Sequence, residues 1–225
     1  YEELFPLLRL GGISVKGMTL HPKAGNPPPR IAETPSGMLN SVGLENPGVD
    51  YFIEHELPSL SQKGTTVIAN VAGSTLEDCV AIAEKLDPTN VDMIELNISC
   101  PNVKQGGAAF GTNCQSAAEV TKAVRQATKK PLMVKLSPNV TSISEIAKAV
   151  EAEGADALSL VNTFLGMRID VESRRPVLHN NVGGLSGPAI FPIALRMVWE
   201  VYNAVKVPVV GMGGIHDSIY AIEMM

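Results

Sequence analysis

Leu96-Asn-Ile-Ser-Cys-Pro-Asn102 is the stretch of this chain richest in groups able to do chemistry. It presents Asn97, Ser99, Cys100 and Asn102 within six residues at the end of an apolar run, with Pro101 fixing the turn. Each asparagine offers both a donor and an acceptor, which suits a planar substrate that carries carbonyl and N–H edges. Cys100 between them suits a nucleophile or general base. A free thiol has a pKa of about 8.5, so a neighbouring cation must help it to ionise near neutral pH. A cysteine is often only a small buried apolar residue, but a position at a strand end between two asparagines favours chemistry. Lys16 and Lys135 each close an apolar run, where an ammonium is costly unless it meets an anion. One such lysine reads as a side chain snorkelling at a rim. Two at corresponding strand ends point to a shared anionic ligand. Gly211-Met-Gly-Gly214, just before a helix expected near His216, suits a phosphate, because bare glycines let it approach backbone N–H groups. Gly183-Gly-Leu-Ser-Gly-Pro-Ala189 is a candidate second arm.

The elements that must hold these groups are short β-branched runs separated by amphipathic stretches. The runs are residues 12–16, 65–70, 93–97, 132–136, 157–162 and 207–212. Most are near-continuous apolar strings, as in parallel strands buried on both faces. Helices are expected over Leu76–Leu86, with Ser74-Thr-Leu-Glu77 as a capping box, and over 146–150, with Ser142-Ile-Ser-Glu145 as another. Further helices are expected over 115–129, 188–205 and from His216 onward. The alternation predicts a parallel sheet with right-handed crossovers. Lys16, Asn70, Asn97, Lys135, Asn162 with Thr163, and Gly213 with Gly214 all stand at C-terminal strand ends. Functional groups at every strand end favour a (β/α)8 TIM barrel over a doubly wound sheet, which gathers them at one or two switch points. Such barrels run to about 250 residues, so a single partial barrel domain over 1–225 is expected, lacking its first and last strands. The Pro- and Gly-rich segment at about 21–48 reads as a lid or small insertion over the barrel mouth.

Composition narrows the classes. Of 225 residues, 45% are apolar and 18% charged, and the net charge is −5. This supports a sizeable core and argues against disorder and against a nucleic-acid surface. No apolar stretch reaches the ~18 residues of a membrane span. The acidic opening Tyr1-Glu-Glu is unlike a secretory signal. Three cysteines (Cys79, Cys100, Cys114) without a CxxC pair support neither a disulfide framework nor a metal or iron–sulfur site. His21, His55, His179 and His216 lack metal-ligand spacing. The methionines read as packing, Cys79 as a helix residue in the core or partly exposed rather than reactive, and Cys114 as a loop residue open to exposure with nothing to activate it. A reduced, cytoplasmic protein is expected.

Leu96–Asn102, Val-Lys-Leu-Ser-Pro138, Val-Asn-Thr163, Gly-Gly-Leu-Ser-Gly-Pro-Ala189 and Gly-Met-Gly-Gly214, in this order, closely resemble the dihydroorotate dehydrogenase family. Met38-Leu-Asn-Ser-Val-Gly-Leu-Glu-Asn-Pro-Gly48 matches that family's substrate loop. The cysteine at 100 resembles class I, and Gly106-Gly-Ala-Ala-Phe-Gly-Thr112 resembles its NAD-linked branch. The resemblance implies FMN held by Lys16, Gly17, Asn70, Asn97, Lys135, Val161, Gly187, Gly213 and Gly214. It implies substrate at Lys16, Asn40, Ser41, Val42, Gly43, Leu44, Asn97, Asn102, Asn162 and Thr163, with Cys100 as the base. It also implies a homodimer core with partner subunits that carry FAD and a [2Fe–2S] cluster, and oxidation of dihydroorotate to orotate in UMP synthesis. Gly17-Met-Thr-Leu20 departs from the small residue and paired threonines usual after the lysine. Fumarate is the second electron acceptor to weigh after NAD. Other readings are a flavin-dependent reductase of another pyrimidine, a cofactor-free phosphate-binding lyase or isomerase, and a barrel that has lost catalysis and serves as a scaffold.

Overall fold

A computed structural model describes residues 5–99 and 110–225. Among these, the strands are β1 (Gly12–Ser14), β2 (Ile31–Thr34), β3 (Gly37–Asn40), β4 (Thr66–Val71), β5 (Met93–Asn97), β6 (Leu132–Lys135), β7 (Ala157–Leu160), β8 (Phe164–Met167), β9 (Ile169–Asp170), β10 (Arg175–Pro176), β11 (Val182–Ser186) and β12 (Val209–Gly211). The helices are α1 (Val49–Tyr51), α2 (Leu57–Leu60), α3 (Leu76–Leu86), α4 (Cys114–Ala127), α5 (Ile143–Ala152), α6 (Phe191–Tyr202) and α7 (Ser218–Met224), with a π-helical stretch, Phe52–Glu56, joining α1 to α2.

The six apolar runs form one parallel sheet in the order β1-β4-β5-β6-β7-β12. Period-two alternation explains how strands so apolar carry polar groups. In β5, Ile94 and Leu96 alternate with Glu95 and Asn97; in β7, Leu158 and Leu160 alternate with Ser159. The apolar set packs with α3, α4, α5 and α6 through residues such as Ile82, Val120, Ile146 and Ala194. The polar set points to the other face. That face is concave. β1 and β7 are separated by four strand spacings, about 19 Å in a flat sheet. Yet Ser14 of β1 and Ser159 of β7 both donate to the carboxylate of Glu95 on β5, at 3.0 and 2.7 Å. Three alternate strands meeting in one interior layer is barrel packing. The sheet with its outer helices is thus part of a (β/α)8 barrel, as expected.

Local details differ from the sequence reading. The α3 cap lies one residue later than expected: Asp78 N–H donates to Thr75 Oγ1 at 3.1 Å, and the Asp78 carboxylate answers the Thr75 N–H. Ser142 precedes α5 without a side-chain cap, its hydroxyl meeting Ser144 Oγ instead. The largest departure is a second, antiparallel sheet, β2-β3-β11-β8. The segment expected as a lid supplies the β2–β3 hairpin. The stretch expected as a second phosphate arm supplies β11, where a Cβ on Gly183 would meet Leu178 Cδ1 at 2.5 Å and the Asn40 carbonyl oxygen at 2.8 Å. Those glycines serve close packing between strands. Among the described residues, no helix is long and apolar enough to cross a membrane.

Candidate active site

A cavity of about 410 Å³ opens at the C-terminal ends of the parallel strands, within the size range of small-molecule sites. Ser14 enters it from β1 and Val15, Lys16 and Gly17 just after it, Asn70 from β4, Asn97 from β5, Lys135 from β6, and Asn162 with Thr163 after β7. The antiparallel sheet and the loop after β3 close its other side with Asn40, Val42, Gly43, Leu44 and Gly184. That loop is held by buried Asn46, whose Oδ1 accepts from Thr19 N–H at 3.1 Å and Gly48 N–H at 2.9 Å. Its Nδ2 donates to the Leu44 carbonyl at 2.6 Å. Small residues keep the space open: a Cβ on Gly17 would lie 2.9 Å from Asn70 Oδ1, and one on Gly184 only 2.0 Å from Thr163 Oγ1.

The polar groups form a directed network. Asn162 Nδ2 donates to Ser99 Oγ at 2.6 Å, while Asn162 Oδ1 accepts from Thr163 N–H at 2.9 Å. Ser99 gives both its N–H (3.2 Å) and its hydroxyl (2.7 Å) to Asn97 Oδ1. Lys16 and Lys135 line the same cavity, and among the described residues neither has a carboxylate partner. Two ammonium groups that face one cavity and, among the described residues, are not paired with a carboxylate suit a negatively charged ligand.

Of the residues singled out in the sequence, Lys16, Gly17, Asn40, Val42, Gly43, Leu44, Asn70, Asn97, Lys135, Asn162 and Thr163 line this cavity. Ser41 does not; it is buried, and its Oγ accepts from Asn26 and Asn180. Gly187 turns the chain against the β2–β3 hairpin, where a Cβ would meet Gly37 Cα at 2.7 Å. Val161, Gly213 and Gly214 also stand outside the lining: a Cβ on Gly213 would meet Val161 Cγ2 at 3.0 Å, and one on Gly214 the Phe191 N at 2.7 Å. These three therefore share a station of their own at the ends of β7 and β12, near the start of α6. Cys100 and Asn102 lie outside the described residues. Sequence reasoning missed Glu95, which is 1% exposed under the cavity. Its signal was available: it falls two residues before Asn97 in a strand, hence on the same face. Cys79 is packing, as read; burial foremost pushes its thiol up to about 12.

A family model described as dihydroorotate dehydrogenase matches residues 1–225. The chain belongs to the dihydroorotate dehydrogenase family. It is 58% identical to the catalytic subunit of dihydroorotate dehydrogenase B (NAD(+)) of Parabacteroides distasonis, over all of this chain and 74% of that protein. The corresponding subunit of Porphyromonas gingivalis gives the same figures, 58% and 74%. That of Desulforamulus reducens is 55% identical with equal coverage, 100% of this chain and 74% of that protein. The dihydroorotate dehydrogenase family implies FMN, and the residues present fit it. The cavity walls combine amide donors and acceptors for a ring with cations for its charge. The glycine turn at Gly213–Gly214, with both φ values positive at 119° and 76°, is a conformation open to glycine.

Proposed function

We propose that this protein oxidises dihydroorotate to orotate, the redox step of de novo UMP synthesis, as an FMN-dependent enzyme. The observation that carries the reading is the convergence of Lys16, Lys135, Asn97 and Asn162 on one cavity at the strand ends, in a chain matched over its whole length by one family. Creating the ring double bond removes a proton from one carbon and a hydride from its neighbour. Bound FMN supplies the hydride acceptor. Cys100, carried over from the family's motif, takes the proton as thiolate. Lys135 would supply positive charge to the hydride acceptor, and Lys16 would offset charge on substrate or cofactor. Asn40, Asn97, Asn102 and Asn162 hold the substrate edges, with Ser41–Leu44 shaping the loop around it, and Thr163 completing the wall. Asn70 and Gly17 would border the cofactor, and Val161, Gly187, Gly213 and Gly214 would hold it beyond the cavity, the glycine pair suiting a phosphate.

The NAD(+)-linked names of the relatives favour a partner subunit with FAD and a [2Fe–2S] cluster that passes the electrons to NAD. A homodimer of this chain forms the core of that complex, working in the cytoplasm. The test is the visible spectrum of the purified protein before and after anaerobic dihydroorotate. A flavin spectrum that bleaches is expected, and Cys100→Ser should bleach far more slowly near neutral pH. Bound flavin that dihydroorotate leaves oxidised would point to reduction of another pyrimidine. A folded protein without flavin would return the site to a cofactor-free phosphate-binding lyase or isomerase.

A further inference from the structure

Glu95 is a buried carboxylate bonded to two residues that line the cavity, Ser14 and Asn70, and the chemistry above gives it no part. Its Oε1 accepts from Ser159 Oγ at 2.7 Å, and its Oε2 accepts from Ser14 Oγ at 3.0 Å and from Asn70 Nδ2. The direction of the amide network runs toward it. A backbone N–H can only donate, so Ser99 N–H fixes Asn97 Oδ1 as an acceptor. The Ser99 hydroxyl occupies the same oxygen. Asn97 Nδ2 then faces Asn70 Oδ1 at 3.4 Å. That leaves Asn70 Nδ2 on the inner side of a residue only 4% exposed, where a donor needs an acceptor. Glu95 is that acceptor. With its oxygen taken twice, Asn97 has only N–H to offer a ligand.

We propose that Glu95 is a positioning residue of the pocket. Ser99 sets which way the Asn97 amide faces; by taking the Asn70 N–H, Glu95 holds Asn70 Oδ1 toward one Asn97 N–H and so steadies the other toward the bound ring. The pocket thereby selects a ring edge that bears an acceptor, a carbonyl oxygen or an unprotonated nitrogen. This rests on the reading that the ring is that of the flavin or the pyrimidine.

The test uses the intact protein and two probes: FMN, titrated into apoprotein by quenching of its fluorescence, and orotate, titrated into the FMN-loaded protein by the shift of its absorption. Glu95→Met removes the acceptor while keeping the volume, and should weaken at least one of the two probes roughly tenfold or more. Glu95→Gln should stay within about threefold of the wild type, since its carbonyl can keep Asn70 while the Ser159 hydroxyl turns to accept its amide. In an Asn70→Ala background Glu95→Met should cost less than about twofold, because residues acting through one chain of hydrogen bonds are not additive. A purely structural role for Glu95 predicts the full loss in both backgrounds. Should Glu95→Met lack a cooperative melt, Glu95→Asp, which withdraws the oxygens from Asn70 by one methylene, must weaken at least one of the two probes. Unchanged affinities, a Gln variant as weak as Met, or an equal loss without Asn70 each overturn the proposal alone. A wild-type protein that binds no FMN overturns the functional reading and the proposal with it.

Discussion

Asn97 and Lys135 are register partners on adjacent parallel strands, β5 and β6, and both line the cavity. Neighbours in register on one face stand about 4.8 Å apart at the backbone, so an amide and an ammonium reach the same ligand from one edge. This pairing gives the first prediction. Lys135→Met should leave the fold intact, because the charge has no carboxylate partner among the described residues. Loss of a charge aimed at a developing anion costs about a hundredfold in rate. Stopped-flow reduction by dihydroorotate should slow on that scale, with FMN affinity changed less. A variant that reduces at the wild-type rate would remove Lys135 from the charge-stabilising role.

A second prediction concerns the wall contributed by the antiparallel sheet. Gly184 of β11 pairs with Asn40 of β3, and a Cβ there would press to 2.0 Å from Thr163 Oγ1 and 2.6 Å from Thr163 Cβ. Gly184→Ala must therefore displace Thr163, whose N–H also holds the Asn162 amide. Misplacing ligand-holding groups by about 1 Å costs up to roughly a hundredfold. Orotate affinity should fall by at least about tenfold on that scale, while the apoprotein keeps a cooperative melt. Binding at wild-type strength would place Thr163 and Asn162 outside the substrate contacts.

Much of the barrel was legible because its strands are buried on both faces, so β4 to β7 read as apolar strings with polar ends. The antiparallel sheet was not. Its strands are short, and β11, Val182-Gly-Gly-Leu-Ser186, carries glycines where a strand pattern needs side chains. Its partner Asn40 lies 144 residues away from Gly184, beyond any local pattern. The cavity-lining lysines and asparagines were readable as strand-end residues. Glu95 shares a face with Asn97, which the sequence does show, but the Ser14 and Ser159 hydroxyls that hold it are brought there only by the curled sheet and leave no local sign. Gly183 and Gly184 carry a second role that the sequence did not show: their absent side chains make room for Leu178 and Thr163.

Thiol chemistry should separate the cysteines. Cys79 is 1% exposed in α3 with its thiol pushed up to about 12, chiefly by burial. Cys114 is exposed at the start of α4. In a Cys100→Ser variant, a chromogenic disulfide reagent at pH 8 should titrate one thiol rapidly in the native protein and a second after unfolding. Rapid reaction of two thiols in native protein would show that the α3 face opens readily.

Acid should loosen the junction between α3 and β6. The Asp87 carboxylate, just past α3, accepts from Thr128 Oγ1 at 2.6 Å and from Lys129 N–H at 2.7 Å. These bonds, that from Thr128 foremost, hold its pKa below the ordinary carboxylate value. A group with a depressed folded pKa contributes stability above its unfolded pKa, about 3.9 for Asp, and loses it as pH falls through the folded value. Asp87 should therefore steepen the drop in melting temperature below about pH 4. Asp87→Asn keeps one acceptor but cannot titrate, so its melting temperature should fall less steeply over that window. Parallel curves for the two proteins would mean that the Thr128 and Lys129 bonds do not distinguish folded from unfolded chain. The comparison belongs in low salt, where the neighbouring Lys130 charge, which also lowers this pKa, is least screened.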